Sequence, residues 1–156
     1  MGGRETVEAL IATLNAGNVD GMDEVFHEDA VMDWPQSGER IVGGDNRRGV
    51  YRAFPKLPTI TPRRIVGEGD LWVVEAGLDY GDEAEYQAVF IFELRDGRIA
   101  KETAYWSLPF DAPEWREQWV ERICRLRWGI RATSVRRQRR SEIVRTTPRA
   151  SRSCRS

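Results

Sequence analysis

The chain has 156 residues, enough for one domain with a buried core and too few for two of ordinary size. Its formal net charge of −1 hides a division. Residues 124–156 hold 11 of the 24 basic side chains against one acid, Glu142, a net +10, which leaves −11 on residues 1–123. An acidic body disfavours nucleic acid as the main ligand, because neutralising phosphates needs basic clusters.

Two cysteines, Cys124 and Cys154, make neither a disulfide framework nor a metal-ligand spacing, and His27 is the one histidine. That is a poor ligand set, so no metal and no cofactor are expected, and the setting is reducing and cytoplasmic. The N-terminus has no apolar core of signal-peptide length, and no apolar run reaches membrane-spanning length. Met1-Gly2-Gly3-Arg4-Glu5-Thr6 fits a short myristoylation pattern. Thr6 also stands where a helix needs an N-cap, which is the better explanation.

In chain order, Val7, Leu10, Ile11 and Leu14 form one stripe and predict a helix over residues 5–16, ended by Gly17-Asn18. A short second helix is expected over 19–26, then a polar loop, His27-Glu28-Asp29. A strand at 30–34 is stopped by Pro35, and 36–40 is a turn region. Gly43-Gly44-Asp45 precedes a third helix over 46–54, which carries Val50, Tyr51 and Phe54. Pro55, Pro58 and Pro62 prevent its continuation. Strands follow at 60–66, 71–80 and 88–95, with a last one running to Trp106. Asp96-Gly97 is a hairpin turn, since Gly accepts positive φ at no steric cost. Asp111-Ala112-Pro113-Glu114 reads as a capping box. It opens a final helix with Trp115, Trp119, Ile123 and Leu126 on one stripe.

Helices first and long strands afterwards mean an α+β fold. The domain should span 1–123. Residues 124–156 are the helix end and a basic tail too poor in apolar residues to offset chain entropy, so disorder is expected there. The tail reads as an inert solvated segment or an out-of-frame extension. Binding of nucleic acid or an anionic membrane is its alternative reading.

Four segments, LIATLNAGNV (10–19), FHEDAVMDWP (26–35), 43–54 and RDGRIAKETAYW (95–106), resemble in order and spacing the nuclear transport factor 2-like superfamily, in its SnoaL-like and ketosteroid-isomerase-like branch. The resemblance implies a cone: a curved antiparallel sheet covered by three N-terminal helices, with a pocket between them and a C-terminal helix after it. It also implies a homodimer through the outer face of the sheet. It carries no chemistry over. Ketosteroid isomerases place an Asp base before a Pro, where this chain has Trp34-Pro35. Their oxyanion hole pairs a Tyr with a protonated Asp, at positions resembling Leu10 and Phe90 here. Only the third-helix tyrosine persists, as Tyr51. Related cyclases and limonene-epoxide hydrolases keep an acid near this chain's Ala104.

Strand alternation proposes substitutes. Ala88, Phe90 and Phe92 share one face of their strand, and Glu102, Ala104 and Trp106 share one face of the next. On 71–80 the expected inward set is Val73, Glu75 and Gly77. Glu102 and Glu75 would then project into a space lined by Trp34, Tyr51, Tyr86, Phe90 and Trp106, with Leu10 and Leu14 from the first helix. Burial beside aromatics raises a carboxyl pKa toward neutrality, which suits a general acid or base. Arg47, Arg48 and Arg52 are the cations that could pair with either glutamate instead. His27, in its loop, reads as capping or surface, and Asp33 faces away from the pocket. Gly43-Gly44 makes a turn in preference to an anion site.

The function expected is binding of a small hydrophobic molecule, with isomerase, cyclase or hydrolase chemistry by acid/base catalysis. Glu102 is the first choice of base and Glu75 the second, with Tyr51 or Tyr86 as hydrogen-bond donor. The alternative is a non-catalytic ligand-binding or dimerisation module of the same fold.

Overall fold

The computed structural model describes residues 2–82 and 84–121. It opens on helix α1 (Gly3–Asn15), a 3-10 helix (Asp20–Glu24) and strands β1 (Phe26–Trp34) and β2 (Glu39–Val42). Helix α2 (Gly44–Ala53) precedes β3 (Thr59–Glu68), β4 (Leu71–Asp79), β5 (Glu85–Arg95) and β6 (Arg98–Ser107). These elements lie in a unit spanning Met1–Asp111, and a second unit begins at Ala112.

The strands form one curved, unclosed sheet in the order β2-β1-β6-β5-β4-β3. The class is α+β, with the helices on one face of the sheet: α1 lies against β3, β4 and β6, and α2 against β1. Neighbouring strands are antiparallel except β1 and β6, which run parallel. A parallel pair needs a long crossover, and here β2, α2 and β3 to β5 all intervene. The expected antiparallel sheet is therefore mixed at this one joint.

The β5–β6 turn is as the Asp-Gly pair predicts, with φ of 53° at Asp96 and 74° at Gly97, the backbone of a type I′ hairpin. The inward row of β5 alternates, and that of β6 changes phase at a register shift opposite Glu93 and Leu94. Ala88, Phe92 and Leu94 are buried on β5, and Ile99, Glu102 and Ala104 on β6. Val7, Leu10, Ile11 and Leu14 of α1 close over them, each such side chain worth about 2 kcal/mol in removed apolar surface.

Two polar ties fix where α1 lies. The Asn15 side chain donates to the Ile60 carbonyl (2.9 Å) and accepts from the Ile60 N–H (2.7 Å). Thr6 is fully buried, and its hydroxyl donates to the Gly97 carbonyl at 2.7 Å. Thr6 is thus not an N-cap. The helix starts earlier, at Gly3, and the Gly2 N–H donates to the Glu5 carboxylate at 2.8 Å.

Four further expectations change. β4 buries Val74, Ala76 and Leu78, not Val73 and Glu75. Val74 pairs with Phe90 and Ala76 with Ala88, in the inward row of β5. A slip of one residue exchanges the two faces of a strand, and Trp72-Val74-Ala76-Leu78 was the more continuous apolar set. The second helix is one short 3-10 segment, and Phe26 already belongs to β1. His27, Glu28 and Asp29 lie within that strand, where β1 shifts register against β6 between Phe26 and Val31, as at a bulge. The stretch after Asp111 is a 3-10 helix, Glu114–Trp119, with Pro113 at its N-cap and no side-chain cap bond; Trp115 and Trp119 are exposed. Ile123, Leu126 and the basic tail lie outside the described residues.

Candidate functional site

Between α1, α2 and the inward face of the sheet lies a narrow cavity of about 50 Å³. Leu10, Ile11 and Leu14 of α1 form one wall, and Tyr51 with Phe54 at the end of α2 forms another. Trp34 enters from the end of β1, Phe90 and Phe92 from β5, and Glu102, Ala104 and Trp106 from β6. Leu57 and Pro58 bring the loop after α2 across it. Read in the sequence only as helix breakers, the prolines also shape this loop. The aromatic rings form a connected wall. Trp34 meets Trp106 edge-on at 5.3 Å between centroids, Tyr51 stacks on Phe54 at 6.2 Å, and Phe54 stacks on Tyr80 at 6.4 Å.

Of the expected pocket residues, Trp34, Tyr51, Phe90, Trp106, Leu10, Leu14 and Glu102 line this cavity together. Tyr86 does not line it; its ring packs edge-on against Tyr80 at 5.0 Å. Glu75 does not reach it either. It lies opposite Val89 on the outer face, half-exposed, and pairs with Arg64 at 3.0 Å. The two glutamates therefore do not share a site. Phe54, Leu57, Pro58 and Tyr80 were missed. Tyr80 becomes visible once β4 is read with Val74 inward, since Trp72, Val74, Ala76 and Leu78 then lead to it.

Glu102 is 2% exposed. On the sheet it sits between Met32 of β1 and Phe92 of β5, both apolar. Among the described residues no hydrogen bond reaches its carboxyl. Burial raises its pKa from 4.5 to about 7, against a smaller downward pull from the Arg47 charge. Tyr51 is raised well above the ordinary tyrosine value, first by burial and then by the neighbouring Glu102. Its phenol stays protonated and is a donor to anything placed between them.

The arginines of α2 pair elsewhere. Arg47, 1% exposed, reaches Asp23 at 2.8 Å and lies over the Phe26 ring at 4.5 Å. Arg48 pairs with Asp23 (2.5 Å) and Asp45 (2.7 Å), and Arg52 pairs with Asp20. Asp33 takes both ends of Arg40 across the β1–β2 pair, at 2.7 and 2.9 Å, and that bond holds its pKa low. His27 Nε2 lies 2.6 Å from the Arg95 carbonyl, a structural contact away from the cavity. At Gly43-Gly44, Gly43 holds a φ of 81°, and the Glu28 carboxylate lies where a Cβ on Gly44 would fall, 2.3 Å from it. This helix start carries no side-chain cap bond, and the Glu28 carboxylate beside it pairs with Arg48 at 3.6 Å.

Among the described residues no cluster of three His, Cys, Asp or Glu side chains could hold a metal, and no helix is long and apolar enough to cross a membrane. A family model described as the SnoaL-like domain matches residues 7–102. Solved structures share the fold. An NTF-2 like protein of unknown function from Burkholderia xenovorans LB400 is 40% identical at a TM-score of 0.68, covering 78% of this chain and 95% of its own. A candidate ketosteroid isomerase from Kribbella flavida DSM 17836 is 26% identical at 0.72, covering 78% and 90%. An LEH-like epoxide hydrolase of M. tuberculosis is 24% identical at 0.57, covering 66% and 80%. Among curated protein sequences, none matches this chain.

Proposed function

The chain belongs to the SnoaL-like domain family, and from that premise we propose that its cavity binds a small, largely apolar molecule and moves a proton on it, with Glu102 as general acid/base. The reaction is an isomerisation, cyclisation or hydrolysis without a cofactor. One observation carries this reading: a carboxyl buried among aromatic rings, with no hydrogen bond from the described residues, whose pKa burial brings to about 7. A general base works best with a pKa near the operating pH. Tyr51 is the donor that would steady developing negative charge. The positions resembling those where related enzymes keep their catalytic acids and tyrosine are Trp34, Phe90, Ala104 and Leu10, all lining the same cavity. The chemistry here therefore uses a different carboxyl position.

Thermal-shift screening of the full chain with lipophilic small molecules finds binders, and turnover is then followed on them. Glu102→Gln should retain binding and lose at least about a hundredfold in turnover. Equal turnover in variant and wild type would remove Glu102 from the mechanism.

The second reading is a ligand-binding or dimerisation module without turnover, favoured because no group among the described residues orients the Glu102 carboxyl. The outer face of the sheet supports a homodimer in either case. Val66, Val89 and Tyr105 are exposed there beside the Arg64–Glu75 pair. Sedimentation at micromolar concentration checks it, and a monomer there would count against it. A domain boundary at residue 123, an inert basic tail and a cytoplasmic, reducing setting complete the proposal.

A further inference from the structure

We propose that the cavity recognises a small alkylammonium group, held against the Glu102 carboxylate by the surrounding rings. The inference deepens the reading above and rests on the cavity being a ligand site. Burying a carboxyl without a partner is costly, and a cationic group on the ligand would supply the partner. The side chains around Glu102 offer it no counter-ion. Met32 and Phe92 flank it on the sheet, and Leu10, Ile11 and Leu14 face the cavity from α1. From α2 the titratable groups acting on it are Tyr51, which is neutral, and Arg47, whose charge is committed to Asp23 at 2.8 Å. The nearby Tyr80 phenol is likewise neutral, its pKa raised by burial.

The rest of the wall suits a cation with alkyl arms. Trp34, Tyr51, Phe54, Tyr80, Phe90 and Trp106 all line the cavity. Aromatic faces attract an organic cation, most strongly where water is excluded. Methyl groups on the nitrogen meet the apolar remainder. A bare metal ion would need several oxygen ligands, and the lining holds one carboxylate. The size also fits. A cavity of about 50 Å³ has room for roughly four water-sized groups, the scale of a nitrogen with three methyls.

A permanently charged ligand requires the ionised carboxylate. Binding therefore releases the Glu102 proton at low pH, and affinity climbs as pH rises to about 7 and then levels off.

Tetramethylammonium and the neutral tert-butanol, alike in size and branching, separate charge from shape. Calorimetric titration of the full chain at pH 8 should show tetramethylammonium binding at least about tenfold tighter than the alcohol. At pH 6 tetramethylammonium should bind about tenfold more weakly than at pH 8, and the alcohol equally at both. Glu102→Gln should abolish the preference while keeping the alcohol's binding. An alcohol that binds as well as tetramethylammonium at pH 8 overturns the alkylammonium inference and leaves the apolar-ligand reading standing. If neither binds at millimolar concentration the inference also fails, and the screen with lipophilic compounds then decides the broader reading independently.

Discussion

Replacing Glu102 with glutamine stabilises the fold at pH 8 by about 3 kcal/mol and flattens its pH dependence. The folded-state pKa of Glu102 is about 7, and its ordinary value is 4.5. Between those values the folded chain holds a proton that the unfolded chain has lost. Stability therefore falls as pH rises from about 4.5 through about 7, and the contribution of the protonated form is complete only below 4.5. At 1.36 kcal/mol for each pH unit, the whole difference is about 3 kcal/mol. Glutamine keeps the shape and never ionises, so the variant escapes the loss. For a domain of this size the gain corresponds to roughly 10 °C in Tm. Asp23 and Asp33, held low by their arginines, act at more acid pH and are common to both proteins. Urea denaturation at pH 4, 6 and 8 checks the prediction. Parallel stability curves for variant and wild type over that range would show that Glu102 is not buried as an acid. A more stable but inactive variant would mark the cavity as a place where stability is given up for function.

Asp23→Ala destabilises the domain by about 3 kcal/mol, through the cation it leaves behind. Arg47 is almost fully buried, and its Nε has no partner among the described residues. Its guanidinium depends on Asp23 at 2.8 Å, on a longer bond to the His27 carbonyl at 3.3 Å and on the Phe26 ring. Burial pushes the Asp23 carboxyl up, and the hydrogen bonds and charges of Arg47 and Arg48 outweigh it and hold the pKa low. Removing the carboxylate strands a buried charge, which costs more than the pair itself contributes. The loss sits at the low end of the usual range because the Asp23 side chain is 40% exposed, so water partly screens its side of the pair. Arg47→Met in the same chain should restore part of the loss, because the stranded charge goes with it. A change below 1 kcal/mol for Asp23→Ala would mean that water satisfies Arg47. The variant has a second readout. Without Asp23, the full Arg47 charge acts on Glu102, and its apparent pKa should fall below about 7.

The cavity was largely legible wherever alternation had one solution. Phe90 and Phe92 share a face of one strand, and Glu102, Ala104 and Trp106 share a face of the next, although a register shift between Glu93 and Leu94 separates them from the type I′ turn. β4 offered two solutions. Val73 and Val74 are the same residue type on opposite faces, so alternation alone allows Glu75 to face inward, and the pairing of Val74 with Phe90 turns it outward. His27-Glu28-Asp29 looked like a loop because all three are polar. They lie in the register shift between the pairs Phe26–Ile99 and Val31–Lys101, and His27 and Asp29 reach Arg95 from there. The arginine pairs of α2 were open for a similar reason: which acid each one meets depends on a helix packed across β1, and no local pattern records it.

The hydrogen bond from Thr6 to the Gly97 carbonyl joins positions 91 apart in the chain. Phe26 likewise lies beside Ile99. Growing from the ribosome, the first helix has its apolar stripe exposed until the last hairpin has been made. Contacts this distant slow folding. The N-terminal segment is thus the part most in need of protection during synthesis, and the Asp96-Gly97 turn is the event that ends its wait.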